Sequence, residues 1–102
     1  MEETVAGVYR LYAGDISFVG FSRNVRGTLK RLRFELTLNA CSFKPLQRFW
    51  NERGPLEAEL LETLDGAGMD DIALDAHLRA CVLKWRRALG ENARLVQSEV
   101  EA

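Results

Sequence analysis

The first two apolar runs of the chain predict a β-hairpin. Residues 5–12 and 16–21 are rich in β-branched and aromatic side chains. The three residues between them, Ala13-Gly14-Asp15, have the composition of a tight turn. We therefore expect two antiparallel strands at the start of the chain.

The apolar spacing changes to a helical one after the hairpin. Apolar side chains recur at intervals of four, three and four residues, at Val25, Leu29, Leu32 and Leu36. Residues 22–24 offer a capping side chain just before them, so a helix with one apolar stripe is predicted. Gly27 inside this helix costs about 1 kcal/mol relative to alanine. Either the backbone approaches another group closely there, or the helix tolerates a weak point.

Three further elements follow from the pattern. A short helix over 46–52 has Pro45 near its first turn. Residues 56–60 alternate apolar and acidic side chains, which is typical of a half-buried strand with its glutamates towards solvent. Apolar spacing over 69–89 predicts a long final helix.

The order β-β-α-α-β-α predicts a single small α/β domain of the α+β type over residues 1–102. We expect a three-stranded antiparallel or mixed sheet flanked by helices, with the folded core over 5–89. Residues 65–68 are expected to form a loop, and residues 92–102 a flexible tail.

Composition limits the class of protein more than its function. The chain has 102 residues, 47% of them hydrophobic and 28% charged, which is enough for one core and excludes a disordered polyelectrolyte. No apolar run approaches the ~20 residues of a membrane span, so a cytoplasmic protein without membrane contact is expected. Cys41 and Cys81 fit no metal or redox spacing, and we expect both to be reduced thiols.

Positive charge is concentrated in the first half of the chain. Residues 1–54 contain nine Lys or Arg and five Asp or Glu, whereas residues 55–102 contain five and ten. Four cations recur at spacings of three, four and three, about 110° around the first helix from its apolar stripe. They are Arg23, Arg26, Lys30 and Arg33. Such a row can neutralise successive phosphates, and an ordinary solvated helix face is the alternative.

The residues of common catalytic sites are almost absent from the sequence. It contains one histidine, His77, which we interpret as structural, and no glycine-rich phosphate loop or serine nucleophile motif. Several aromatic side chains have the chemistry to stack on bases, but we interpret them as core residues. They are Phe34, Phe43, Phe49, Trp50 and Trp85.

Several segments together resemble GIY-YIG endonuclease domains. They are, in chain order, Gly7-Val8-Tyr9, Phe18-Val19-Gly20, Ser22-Arg23-Asn24, the Leu-Gln, Asn and Gly of residues 46–54, and Trp85. The sequence looks closest to short, single-domain bacterial members of that family. The resemblance covers residues 5–89 and implies the same β-β-α-α-β-α fold.

The resemblance implies a reaction whose residues are mostly replaced here. The family hydrolyses a DNA phosphodiester with a divalent cation, and Tyr9 matches its first tyrosine. The second tyrosine is replaced by Phe18, the helix arginine by Thr28 and the nearby histidine by Leu32. The metal-binding glutamate is replaced by Val82, whose side chain has no oxygen to bind Mg²⁺ or Mn²⁺.

Nuclease activity would survive these replacements only if other residues formed a relocated active site. Arg31 or Arg33 would then substitute for the lost arginine, and Asp75 for the lost carboxylate. Mg²⁺ or Mn²⁺ is expected as a cofactor only in that case. Otherwise no metal ligand and no cofactor are predicted.

The sequence therefore predicts a catalytically degenerate GIY-YIG-like domain that binds nucleic-acid phosphates without cleavage. The predicted contacts are Arg23, Arg26, Lys30, Arg31 and Arg33. Two alternatives stay open: an active, divergent metal-dependent endonuclease, and a protein-interaction module built on the same scaffold. Neither DNA over RNA nor an oligomeric state is predicted.

Overall fold

The computed structural model describes residues 5–65 and 68–96 and has the predicted α+β fold. Its elements, in chain order, are β1 (Ala6–Ala13), β2 (Ile16–Ser22), α1 (Val25–Thr37), α2 (Lys44–Arg53), β3 (Glu57–Leu64), α3 (Asp71–Leu89) and β4 (Ala93–Leu95). The predicted hairpin, three helices and third strand are all confirmed. Gly66 and Ala67 of the predicted loop lie outside the described residues.

The sheet has four strands instead of the expected three. Its strand order is β3-β1-β2-β4, with β1 antiparallel to both neighbours and β4 parallel to β2. The prediction of a flexible tail from residue 92 is wrong for residues 93–96, because the sheet edge at β2 offers backbone partners. Ser17 donates to the carbonyl of Asn92 at 3.1 Å, and Val96, which is fully buried, donates to Val19 at 2.9 Å. Residues 97–102 lie outside the described part of the chain.

Two hydrophobic clusters cover opposite faces of this sheet. Alternate residues of a strand point to opposite faces, so the neighbours Val8 and Tyr9 belong to different clusters. Tyr9, Leu11 and Phe18 pack beneath α1 and α2. Val8 and Val19 pack against α3 on the other face. The helices therefore protect both sides of the central strands.

Strand β3 is less covered than predicted. Its glutamates Glu57 and Glu59 are exposed as expected, but Ala58 is also exposed and Leu60 keeps 46% of its surface accessible. α1 packs mainly over β1 and β2, and Ala58 of this outer strand lines an open groove beside the helix. The prediction of a half-buried strand is wrong for Ala58 and Leu60 for this reason.

A buried glutamine joins α1 to α2. Gln47 donates from Nε2 to the carbonyl of Leu36 and to Oδ1 of Asn51, and its Oε1 accepts the amide N–H of Cys41, each at 3.0 Å. Asn51 in turn donates to Asn39 Oδ1 at 3.1 Å. This network fixes the turn between the helices by satisfying backbone groups that the end of α1 leaves open.

Both cysteines are free thiols, as the sequence predicted. Cys41 is buried beside the α1–α2 turn, and Cys81 is half-buried on α3. Desolvation raises the pKa of each thiol, which disfavours the reactive thiolate.

A carboxylate on β3 attaches the strand to α3. Glu62 accepts hydrogen bonds from Lys84 Nζ at 2.7 Å and from Trp85 Nε1 at 2.8 Å. The hydrogen bond from Lys84, followed by that from Trp85, lowers the pKa of Glu62 below its ordinary value of 4.5. The ionised form therefore stabilises the folded state, and this contribution is lost as pH falls through the lowered pKa.

We expect the Glu62→Gln variant to show a weaker loss of stability on acidification than the natural protein. Its urea midpoint should fall less between about pH 6 and about pH 3, because one group that binds a proton on unfolding has been removed. The fluorescence of Trp50 and Trp85 together reports the unfolding transition. Glu52→Gln, an exposed carboxylate on α2, is the control and should not alter the pH dependence. Identical pH profiles for Glu62→Gln and the natural protein would show that this contact does not contribute.

Candidate nucleic-acid interface

The five predicted phosphate contacts lie on two different surfaces of α1. Arg26, Lys30 and Arg33 line a groove between α1 and β3, which we call the α1–β3 groove. Arg23 and Arg31 line a cleft between α1 and the start of α3, which we call the α1–α3 cleft. The single predicted stripe is therefore divided.

The α1–β3 groove has a volume of about 650 Å³. Among the described residues that line it, every charged side chain is cationic. The lining residues are Asn24, Arg26, Gly27, Leu29, Lys30, Arg33, Phe34 and Ala58. Arg26 and Lys30 are one helical turn apart, with Arg33 close to them on the next row. The result is a basic rim above an apolar floor.

The N-terminus of α1 is fixed by side-chain hydrogen bonds, and this places Arg26 at the rim. Asn24 Oδ1 accepts the N–H of Gly27 at 3.1 Å, and Ser22 Oγ accepts the N–H of Asn24 at 2.9 Å. A Cβ at position 27 would lie only 2.6 Å from Asn24 Nδ2. Of the two explanations considered for Gly27, the close approach is the one observed. The capping side chain of Asn24 occupies the space that a Cβ would need.

Arg23 is held by carboxylates of α3. It donates to both oxygens of Asp75, from Nε at 3.0 Å and from Nη2 at 2.8 Å, and lies 3.5 Å from a carboxylate oxygen of Asp71. The hydrogen bond to Asp75 raises the pKa of Arg23. Arg23 precedes the capping Asn24, so its side chain does not follow the helical row. It joins the start of α1 to α3.

The α1–α3 cleft contains acidic as well as basic side chains. Its volume is about 540 Å³, and Glu35 and Asp75 are among its lining residues. Arg31 lies 3.9 Å from Glu35, one turn along α1. The hydroxyls of Ser22 and Thr28 are hydrogen-bonded to each other at 2.6 Å. A phosphate entering this cleft would have to compete with carboxylates that already face Arg23 and Arg31.

The positions that the GIY-YIG resemblance matches to nuclease residues do not form one accessible site. Tyr9 and Phe18 are buried beneath α1 and α2, where Leu32 is also buried. Val82 is fully buried in the cluster on the other face of the sheet. Thr28 lies on α1, where its hydroxyl is paired with that of Ser22. Tyr9, the retained tyrosine, has no solvent-exposed surface from which to reach a phosphodiester.

The suggested replacement ligand for a metal is already occupied by another contact. Both carboxylate oxygens of Asp75 accept hydrogen bonds from Arg23. Within residues 5–65 and 68–96, no three His, Cys, Asp or Glu side chains are grouped so that they could hold a metal ion. His77 is exposed on α3.

One aromatic residue departs from the predicted core role. Phe43, Phe49 and Trp50 pack against the cluster beneath α1 and α2, and Trp85 packs against the other cluster. Phe34 instead keeps 66% of its surface exposed at the α1–β3 groove. The sequence contains one indication of this exposure. Phe34 lies four residues after the cationic Lys30, on the same side of the helix, whereas it is only two residues from the buried Leu32 and Leu36.

Comparison of the chain with protein-family models, with curated protein sequences and with solved structures found no match. Among the described residues, no helix has both the length and the apolar character needed to span a membrane. The GIY-YIG resemblance is thus an interpretation that rests on the motifs quoted above, and the α1–β3 groove stands as a candidate site on its geometry alone.

Proposed function

We propose that this domain binds nucleic-acid phosphates in the α1–β3 groove and does not cleave them. The observation that carries the proposal is the position of Arg26, Lys30 and Arg33 on the rim of one open groove. Cations at successive turns of a helix can each replace a counterion at a phosphate, which favours binding at low salt. The proposal assigns no phosphate contact to Arg23 or Arg31, which line the separate α1–α3 cleft.

The part of the proposal that excludes cleavage is supported by the residues at the positions that the GIY-YIG resemblance matches to nuclease residues. Phosphodiester hydrolysis with a metal ion needs oxygen ligands for the cation and a group that activates water. Val82 supplies neither, and Tyr9 is buried away from the groove. A cytoplasmic location, where free thiols such as Cys41 and Cys81 stay reduced, accords with this proposal.

The Arg26→Ala/Lys30→Ala double variant tests the proposal. We expect it to bind labelled oligonucleotides about tenfold or more weakly at low salt, and to reduce the slope of log K against log salt by about two. Fluorescence anisotropy between about 50 and 200 mM salt measures both quantities. The loss should be similar for all sequences, because phosphate contacts do not read bases.

A second double variant controls for net charge. Arg86→Ala/Arg87→Ala removes the same charge from the exposed last turn of α3, away from the groove. We expect this variant to retain the affinity and most of the salt slope. An equal loss in both double variants would mean that overall charge, and not the groove, determines binding.

The same oligonucleotides, incubated with Mn²⁺, with Mg²⁺ or with a chelator, test the two alternatives. We expect intact DNA in every reaction. Strand breaks that require the metal and disappear with the chelator would establish an active endonuclease with a relocated site. No binding at low salt, together with a stable complex with another protein, would support an interaction module instead.

A further inference from the structure

We infer that the α1–β3 groove takes single-stranded nucleic acid, with a base stacked on Phe34. The inference rests on the proposed function and names the form of nucleic acid that the site binds. Phe34 lies at a spacing of four from Lys30, which in turn lies four residues after Arg26. These side chains therefore lie along one ridge of α1, separated by ~6 Å of helix rise per step. The aromatic ring continues the row of cations.

Exposure distinguishes Phe34 from the other phenylalanines of the chain. Phe34 is 66% exposed as a residue, while Phe18 and Phe21 are buried and Phe43 and Phe49 pack against the core. α1 already has a buried stripe on its other side, so folding does not require an aromatic residue at position 34. An exposed ring beside cations is the arrangement with which proteins stack unpaired bases.

The floor of the groove is apolar, which suits bases better than a phosphate backbone. Leu29 and Ala58 line it beneath the basic rim. Leu60 lies on the same face of β3 as Ala58 and keeps 46% of its surface accessible. A row of cations above such a floor can hold the phosphates of one strand while its bases turn towards the protein.

Duplex nucleic acid would use only part of this surface. In a duplex the bases are stacked on one another and the phosphates lie outermost, so Arg26, Lys30 and Arg33 could make contacts while Phe34 and the apolar floor would have no partner. A single strand uses both halves of the groove. The difference in affinity between single-stranded and duplex nucleic acid should therefore depend on Phe34.

The test compares three ligands with the same number of phosphates per strand: a short labelled oligothymidylate, the corresponding duplex, and an oligomer of abasic sites. We expect the natural protein to bind the oligothymidylate more tightly than the other two. Phe34→Ala should weaken oligothymidylate binding about five- to 150-fold, the range for loss of one stacked base, and should leave the salt slope unchanged. Binding of the abasic oligomer should not change in this variant.

Two further variants separate stacking from a loss of apolar surface. Phe34→Trp should retain or increase oligothymidylate binding, because indole is also a stacking surface. Leu83→Ala removes a 46% exposed apolar side chain from α3 and should not change the affinity for oligothymidylate. Circular dichroism checks that each variant is folded, which is expected because both positions are exposed.

The outcomes distinguish this inference from the function on which it rests. Equal or tighter binding of duplex, with an affinity that does not respond to Phe34→Ala, would overturn the single-strand inference. The phosphate-binding proposal would stand in that case if the Arg26→Ala/Lys30→Ala variant still lost affinity. Absence of binding to all three ligands at low salt would overturn both.

Discussion

Replacing Gly7 by alanine is expected to lower the free energy of unfolding by about 3 kcal/mol or more. A Cβ at this position would overlap the backbone carbonyl oxygen of Glu62 and lie 3.2 Å from the Cα of Thr63. Gly7 is buried in β1, between β2 and β3, next to the point where the register with β3 shifts. Relief of the overlap would require backbone movement in a strand that is held on both sides.

Urea denaturation followed by tryptophan fluorescence measures this loss. Gly27→Ala is the matched control, because the nearest atom to its new methyl group belongs to the Asn24 side chain and not to the backbone. The lost helix cap and the gained helix propensity are each worth about 1 kcal/mol, so the net change should be small. Equal stabilities of Gly7→Ala and Gly27→Ala would contradict the close packing of β1 against β3.

Replacing Gln47 by alanine is expected to cost about 3 kcal/mol, because the buried N–H of Cys41 would be left without its acceptor and the Leu36 carbonyl would lose one of its two hydrogen bonds. Gln47 is 4% exposed, and its amide accepts the N–H of Cys41 and donates to the carbonyl of Leu36, which also accepts the N–H of Asn39 at 3.1 Å. The thermal unfolding midpoint should fall by about 10 °C or more.

Two other variants identify the network as the cause of this loss. Asn51→Ala removes an exposed partner of Gln47 and should cost about 1 kcal/mol or less. Gln47→Glu keeps the acceptor for Cys41 but places a second oxygen against the Leu36 carbonyl. Burial raises the pKa of such a carboxyl, so this variant should recover stability as pH falls and the group is protonated. A Gln47→Ala variant as stable as Asn51→Ala would show that the network adds little.

The features predicted correctly from the sequence are those that depend on nearby residues. Helix α1 begins where Asn24 can cap it, and the apolar spacing through Leu32 and Leu36 identifies the side that is buried. The turn at Gly14 joins two strands of matching composition. Each of these interactions joins residues close in sequence, so one pattern is enough to indicate it.

The features that were missed depend on residues far apart in sequence. Arg23 was assigned to a phosphate-binding row, but its partner Asp75 comes from α3. Phe34 was assigned to the core, because the sequence does not show that α1 leaves β3 uncovered on that side. The reason for glycine at position 7 is equally remote, since it depends on the path of β3 at Glu62. The α1–β3 groove was therefore only partly predictable: the sequence indicated its cations, but not the exposure of Phe34 and Ala58 beside them.

The pairing of β4 with β2 has a consequence for how the protein is made. Ser17 lies opposite Ala93, so the outer edge of an early hairpin is completed only after residue 96 has left the ribosome. Contacts so distant in sequence form slowly, because a long loop must close first. Until then, the backbone groups of β2 can pair with strands of other nascent chains. The edge of β2 therefore stays open to pairing with other chains until residues 93–96 have been made and have joined the sheet.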